Sequence, residues 1–119
     1  MSLNTFKLKE INFPKGWIIS KNDFVDLEPD NDFPVENITL FFIEDILQAN
    51  FNEFTLDLGF YGDYTIERSG FFRLLLIKGD FINGEIIDSL MSRSTNEIQS
   101  KINFFFNYIS DLQSHTQLK

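Results

Sequence analysis

The stretch Phe54-Thr55-Leu56-Asp57-Leu58-Gly59-Phe60-Tyr61 decides how the chain is read. Successive strand residues point to opposite faces, so Phe54, Leu56, Leu58 and Phe60 line one apolar face, with Thr55, Asp57 and Tyr61 on the other. That pattern predicts a half-buried strand. Residues 71–77, Phe-Phe-Arg-Leu-Leu-Leu-Ile, are apolar on both faces apart from Arg73, as a central strand requires. Gly62-Asp63 and Ser69-Gly70 mark turns around residues 64–67, and Asn83-Gly84 is a turn dipeptide before a last strand over 85–90. Next, Ser94-Thr95-Asn96-Glu97 fits a capping box, in which the Ser hydroxyl and the Glu carboxylate satisfy opposite orphan donors at a helix start. Ile98, Ile102, Phe105, Ile109 and Leu112 then recur at steps of four and three. This predicts a helix that lays one apolar stripe on the sheet, with Phe105 near its centre and fraying from Gln113 onward.

Working toward the N-terminus, Phe6-Lys7-Leu8-Lys9 alternates and Pro14-Lys15-Gly16 supplies a turn. Trp17-Ile18-Ile19-Ser20 and Phe24-Val25-Asp26-Leu27 flank a turn at Lys21-Asn22-Asp23 and read as a hairpin. The segment Glu28-Pro29-Asp30-Asn31-Asp32-Phe33-Pro34 is polar and proline-broken, which predicts an exposed loop. From Ile38 the run Ile-Thr-Leu-Phe-Phe-Ile-Glu-Asp-Ile-Leu is rich in β-branched and aromatic residues and reads as a strand, although residues 41–49 also suit a short helix. The expected fold class is α+β: an antiparallel, twisted multi-stranded sheet packed against a C-terminal helix. No linker or repeat divides the chain, so residues 1–119 are expected to form a single domain.

Composition narrows the functional classes. Over 119 residues, 43% hydrophobic content with fifteen Phe supplies a full core, which argues against disorder. A net charge of −8 disfavours direct binding of phosphate backbones, so no nucleic-acid or membrane-surface partner is expected. The charge is also uneven. Residues 22–67 hold twelve acids and neither Lys nor Arg, so that sector carries −12 and the rest +4. The absence of Cys excludes disulfides, thiolate catalysis and cysteine-bound metal. The first ten residues hold Lys7, Lys9 and Glu10 and no apolar stretch of the signal-peptide kind, so a soluble, cytoplasmic protein is expected.

Catalytic groups are scarce. His115 is the single histidine and falls in the polar tail, where a solvent-exposed bystander is expected rather than a general base. There is no P-loop, dinucleotide-binding, HExxH or EF-hand motif. Asp30-Asn31-Asp32 resembles the start of a calcium loop but lacks the following Gly and the Glu at position twelve, and Pro34 interrupts it. Glu44-Asp45, or Asp57 with Asp63, have the residue types of a glycosidase pair, yet so acidic a sector supplies such pairs by chance. The expectation is a non-enzyme that needs no cofactor or metal. The acidic sector is then either a solvated surface that keeps a Phe-rich chain soluble or a docking face for a basic protein. For docking, the candidate residues are Glu28, Asp30, Asp32 and Glu36 in the polar loop, with Asp63 flanked by Tyr61 and Tyr64. The tyrosines could be contact anchors or covers for the sheet edge.

Phe42-Ile43-Glu44-Asp45-Ile46-Leu47-Gln48, then Leu56-Asp57-Leu58-Gly59-Phe60-Tyr61-Gly62, then Gly70-Phe71-Phe72-Arg73-Leu74-Leu75-Leu76-Ile77 resembles immunity proteins of bacterial contact-dependent growth inhibition and related polymorphic toxin systems. The resemblance covers roughly residues 38–112, with residues 97–109 matching the family's closing helix. Phe60 stands where that pattern has Trp, as does Phe81 in the segment after Ile77. The resemblance implies a small α+β domain that binds and neutralises a cognate toxin domain, often a nuclease, by occluding its basic substrate surface, and a monomer. Two other classes fit the same size and charge: a small acidic chaperone of a secreted protein, which would expose an apolar groove and dimerise on it, and a carboxylate-dependent hydrolase.

Overall fold

Alternating side chains set the strands, and their pairing follows chain order. The computed structural model of the chain describes residues 7–26, 29, 44–62, 70–80 and 82–117. Strands β1 (Ile18–Asn22), β2 (Leu47–Phe51), β3 (Phe54–Tyr61), β4 (Phe71–Lys78) and β5 (Glu85–Ser92) form an open, twisted five-stranded antiparallel sheet in the order β1-β2-β3-β4-β5. Helix α1 (Thr95–Gln117) packs across one face. The result is the α+β architecture expected from the sequence.

Register explains the core. Leu47 pairs with Leu58 and Ala49 with Leu56, while Leu58 pairs with Leu74 and Leu56 with Leu76, so the inner faces of β2, β3 and β4 form a continuous apolar floor. Ile98, Ile102, Phe105 and Ile109 of α1 are buried against it, and Leu112 is partly so, which is the stripe the periodicity predicted. The helix adds Phe106 to one side, where its ring meets Trp17 at 5.1 Å and Phe13 at 5.4 Å. Trp17 in turn stacks on Phe51 at 5.6 Å, so an aromatic cluster closes the sheet at the β2 end. The helix continues to Gln117 rather than fraying from Gln113.

Several expectations need correction. Phe24, Val25 and Asp26 form no second strand of a hairpin, and Leu27 lies outside the described residues: β1 pairs with β2, while Phe24 and Val25 are core residues and Val25 makes a lone bridge to Leu8. Their burial in the core won over local pairing. The strand expected over residues 38–47 lies largely outside the described residues; within them, the strand begins at Leu47, and the helix reading of residues 41–49 fails at Leu47, Gln48 and Ala49. The capping box is half as drawn. Glu97 N donates to Ser94 Oγ at 3.2 Å, but Ser94 N donates to Ser92 Oγ at 3.0 Å, whose own hydroxyl donates to Glu97 Oε1 at 2.9 Å. Ser92 thus relays the reciprocal bond.

Strand β3 is enclosed on both faces rather than half-buried, with Thr55 at 8% and Asp57 at 2% exposure. Thr55 Oγ1 donates to the Gly79 carbonyl at 2.8 Å and accepts from Asn50 Nδ2 at 2.9 Å, and nearer the end of the strand the outer face is covered at Gly59. A Cβ there would lie 2.0 Å from the Glu44 carbonyl oxygen, so the backbone at Glu44 lies directly on the outer face of β3, and only glycine leaves room for it.

Lys9 ties the N-terminal segment to the helix start. Its ammonium donates to Asp26 Oδ1 at 3.0 Å, Thr95 Oγ1 at 3.2 Å and Asn96 Oδ1 at 2.5 Å, and the residue is only 8% exposed. A buried ammonium has three donors to satisfy, and here each has an oxygen.

Candidate functional site

The residues singled out for docking fall mostly outside the described part of the chain: Glu28, Asp30, Asp32, Glu36, Asp63 and Tyr64 all do, as do residues 64–67 between the two turn signals. Tyr61 is described. It ends β3 on the outer face, half-buried, and its ring lies under the guanidinium of Arg73, with Cζ 4.2 Å from the ring centroid. Arg73 pairs across β3–β4 with Gly59, so Tyr61 is its diagonal neighbour, a reach suited to an aromatic and a long cationic side chain.

Around this pair the outer face is polar toward β2 and apolar toward β5. Gln48 Nε2 donates to Asp57 Oδ1 at 3.1 Å across β2–β3. Burial pushes the Asp57 carboxyl above its ordinary pKa; the Gln48 hydrogen bond opposes this, the Asp45 charge adds to the rise, and the Arg73 charge opposes it. Arg73 makes no ion pair with Asp57, and its Nε is buried without any hydrogen-bond partner. On the other side, Arg73, Leu75, Ile77, Gly84 and Ile86 line a trough of about 260 Å³.

The raised Asp57 pKa has a signed consequence. The folded state holds this proton more tightly than the unfolded chain, so the associated stability is fully present below the ordinary carboxylate pKa and is lost as pH rises through the folded value. Ionisation of this carboxyl therefore weakens the fold. Asp57→Asn keeps an oxygen for Gln48 and removes the charge, so it should raise the melting temperature by a few degrees at neutral pH, and the gain should fade toward about pH 4. Thermal melts of both proteins across that range check it, and a lower melting temperature for the variant at neutral pH would contradict it.

Within the acidic sector, charge compensation is incomplete. Asp26 is paired with Lys9 at 3.0 Å and Asp23 approaches Lys21 at 3.8 Å. Glu44, Asp45 and Glu53 are exposed and, among the described residues, make no ion pair. Glu44 and Asp45 sit where the chain crosses the outer face at Gly59, which brings the Asp45 charge to the neighbourhood of Asp57. The same face thus presents uncompensated carboxylates, a tyrosine and an arginine, an arrangement suited to binding through charge and aromatic contact. Among the described residues, no three His, Asp or Glu side chains converge as a metal site would need.

Two groups escaped the sequence reading. Lys9 looked like one of two solvent-facing lysines in an alternating segment, and its partners lie 17, 86 and 87 residues away, so nothing local marks it. Arg73 registered only as an interruption in an apolar strand. The interruption was itself the available signal, because a charge inside an interior strand must find a partner or a rim.

No protein-family model matches the chain, and no curated protein or solved structure shows significant similarity to it.

Proposed function

We propose that the chain is a non-catalytic binding domain that neutralises a basic partner, a toxin domain in the manner of the immunity proteins its strands resemble, by covering that partner's substrate path. One observation carries the reading: a sector of twelve acids without a base, in which the exposed Glu44, Asp45 and Glu53 have no counter-ion within the described fold. Uncompensated charge raises encounter rates with a basic surface and repels nucleic acid and anionic lipid. Inhibition by occlusion needs no cofactor, and a monomer acting in the cytoplasm suffices. No helix among the described residues is long and apolar enough to cross a membrane.

The test is protection of growth by co-expression with a toxin-like domain encoded immediately upstream, paired with association kinetics between the two proteins. Replacing Asp30, Asp32 and Glu36 by Lys should slow association by about tenfold or more, while Lys at Glu10, Glu85 and Asp111 should cost much less. Raising salt past physiological strength, where the Debye length is about 8 Å, should slow association and change dissociation little. Unchanged association in the first triple variant would reduce the loop to a solubility device.

A second reading, a small acidic chaperone, has its own observation. Phe104 and Tyr108 of α1 are 54% and 38% exposed, and Phe104 is shared by two hollows, one lined with Ile87 and Tyr108 beside Asp88 and the other with Leu90 beside Glu97 and Lys101. Size-exclusion chromatography separates the two: a dimer favours the chaperone and a monomer the inhibitor.

A further inference from the structure

We propose that the hollow between the Pro14–Trp17 turn and helix α1 is a binding site for a small aromatic monocarboxylate, with Lys15 as its counter-ion. Three observations converge there, and none depends on the identity of a protein partner. First, the hollow, of about 240 Å³, is lined by rings that keep surface open to solvent: Trp17 and Phe51 are half-buried, with Phe106 and Ile109 of α1 buried beside them. Trp17 stacks on Phe51 at 5.6 Å and meets Phe106 edge-on at 5.1 Å, the spacing at which a further ring joins such a cluster. Second, the turn is fixed before anything binds. Trp17 N donates to the Pro14 carbonyl at 3.4 Å, and Gly16 has a φ of 100°, as the third residue of a type II turn requires. A Cβ on Gly16 would stand 2.8 Å from Phe51 Cε1, so the turn backbone rests on that ring and places Lys15 at its corner. Third, the side chains of Lys15, Ser110 and Gln113 line the hollow and make no hydrogen bond or ion pair with any described residue. Lys15 and Ser110 are exposed, so a ligand reaches both from solvent.

The chemistry of the ligand follows from that lining. Aromatic faces alone would also attract a cation. Here the lining holds Lys15 as its one charged residue, and its ammonium repels a cation and attracts an anion. The ammonium sits on a flexible four-carbon stem and has three donors and no acceptor; the Ser110 hydroxyl and the Gln113 amide donate as well, so the polar end of the ligand is a group of oxygens with a single charge. A carboxylate meets that description. The volume falls below the roughly 300–1,000 Å³ of sites for drug-sized ligands, which limits the apolar part to one ring or a fused pair. A bare anion would leave the rings uncovered, and an aromatic amine would set two cations against each other.

Phenylacetate is the probe, titrated into the full chain, with phenethylamine and acetate as comparisons. Trp17 is the chain's single tryptophan and lines the hollow, so its fluorescence reads occupancy directly. A saturable change is expected, with half-saturation at about 1 mM. Phenethylamine, which keeps the ring and reverses the charge, and acetate, which keeps the charge and lacks the ring, should each bind at least about tenfold more weakly. Lys15→Gln should weaken phenylacetate by about fivefold or more, while Lys78→Gln, an equal loss of charge at an exposed residue outside the lining, should change it by less than about twofold. Ser110→Phe is the second variant. It sets a ring into the hollow from an exposed helix position and should weaken phenylacetate by about tenfold. Absence of a saturable change, equal binding of phenethylamine or acetate, undiminished binding in Lys15→Gln or Ser110→Phe, or a loss in Lys78→Gln as large as in Lys15→Gln would overturn the site.

Discussion

Phe105→Asp is expected to leave the chain unfolded or aggregated at room temperature. Phe105 is 1% exposed at the middle of the α1 stripe, between Ile102 and Ile109. Losing the ring costs about 3–5 kcal/mol, and placing a carboxylate there adds several more, against a total stability of about 5–15 kcal/mol for a domain of this kind. Rescue by Lys101, one turn away, is partial at most, because its ammonium, 5.4 Å from the Phe105 ring centroid, is already shared with another carboxylate. Its ammonium is 2.8 Å from Asp88 on β5 and lies over the Phe104 ring at 4.5 Å. Circular dichroism and a dye for exposed apolar surface report the outcome, with Phe105→Leu as the variant that should remain folded. A melting temperature within about 5 °C of wild type for Phe105→Asp would mean that α1 does not cover the sheet.

Gly59→Ala should be the most damaging single-methyl change in the sheet. Two effects compete. Alanine restricts the unfolded chain and would ordinarily stabilise by about 0.4–1 kcal/mol at a compatible site. Here the added Cβ would fall 2.0 Å from the Glu44 carbonyl oxygen and 2.9 Å from its carbon, and both are backbone atoms that cannot swing aside as a side chain does. Overpacking of this sort costs about 1–3 kcal/mol or more, so the steric term wins and the melting temperature should drop by roughly 5–15 °C. An increase would show that the Glu44 backbone does not rest on β3.

How much of this was visible in the sequence depends on the distance over which each residue finds its partners. β3, β4, β5 and α1 were legible because their own periodicity states which face is apolar, and the partners on that face are strands next in the chain. β2 was not, since Leu47-Gln48-Ala49-Asn50-Phe51 contains poor strand formers; it is a strand because β1 and β3 flank it on both edges. The hairpin expected over residues 17–27 failed for a related reason: Phe24 and Val25 gain more by entering the core than by pairing with β1. On the outer face, Thr55 and Asp57 looked solvent-facing because alternation reports polarity and is silent about a remote segment lying on top. Of the docking residues chosen from charge, Tyr61 alone lies within the described chain, and its contact with Arg73 was beyond any local pattern.

The lysine clasp sets an order of assembly. Strands β2 to β5 each meet a sequence neighbour, so they can pair as they leave the ribosome, with little loop entropy to overcome. Lys9 has to wait. Thr95 and Asn96 are made 86 and 87 residues later, and until they arrive the ammonium has Asp26 alone of its three partners. The tie between the N-terminal segment and the helix therefore closes in one late step over a sheet that is already paired, and a nascent chain stopped before Thr95 would hold residues 7–9 only through their pairing with residues 24–26.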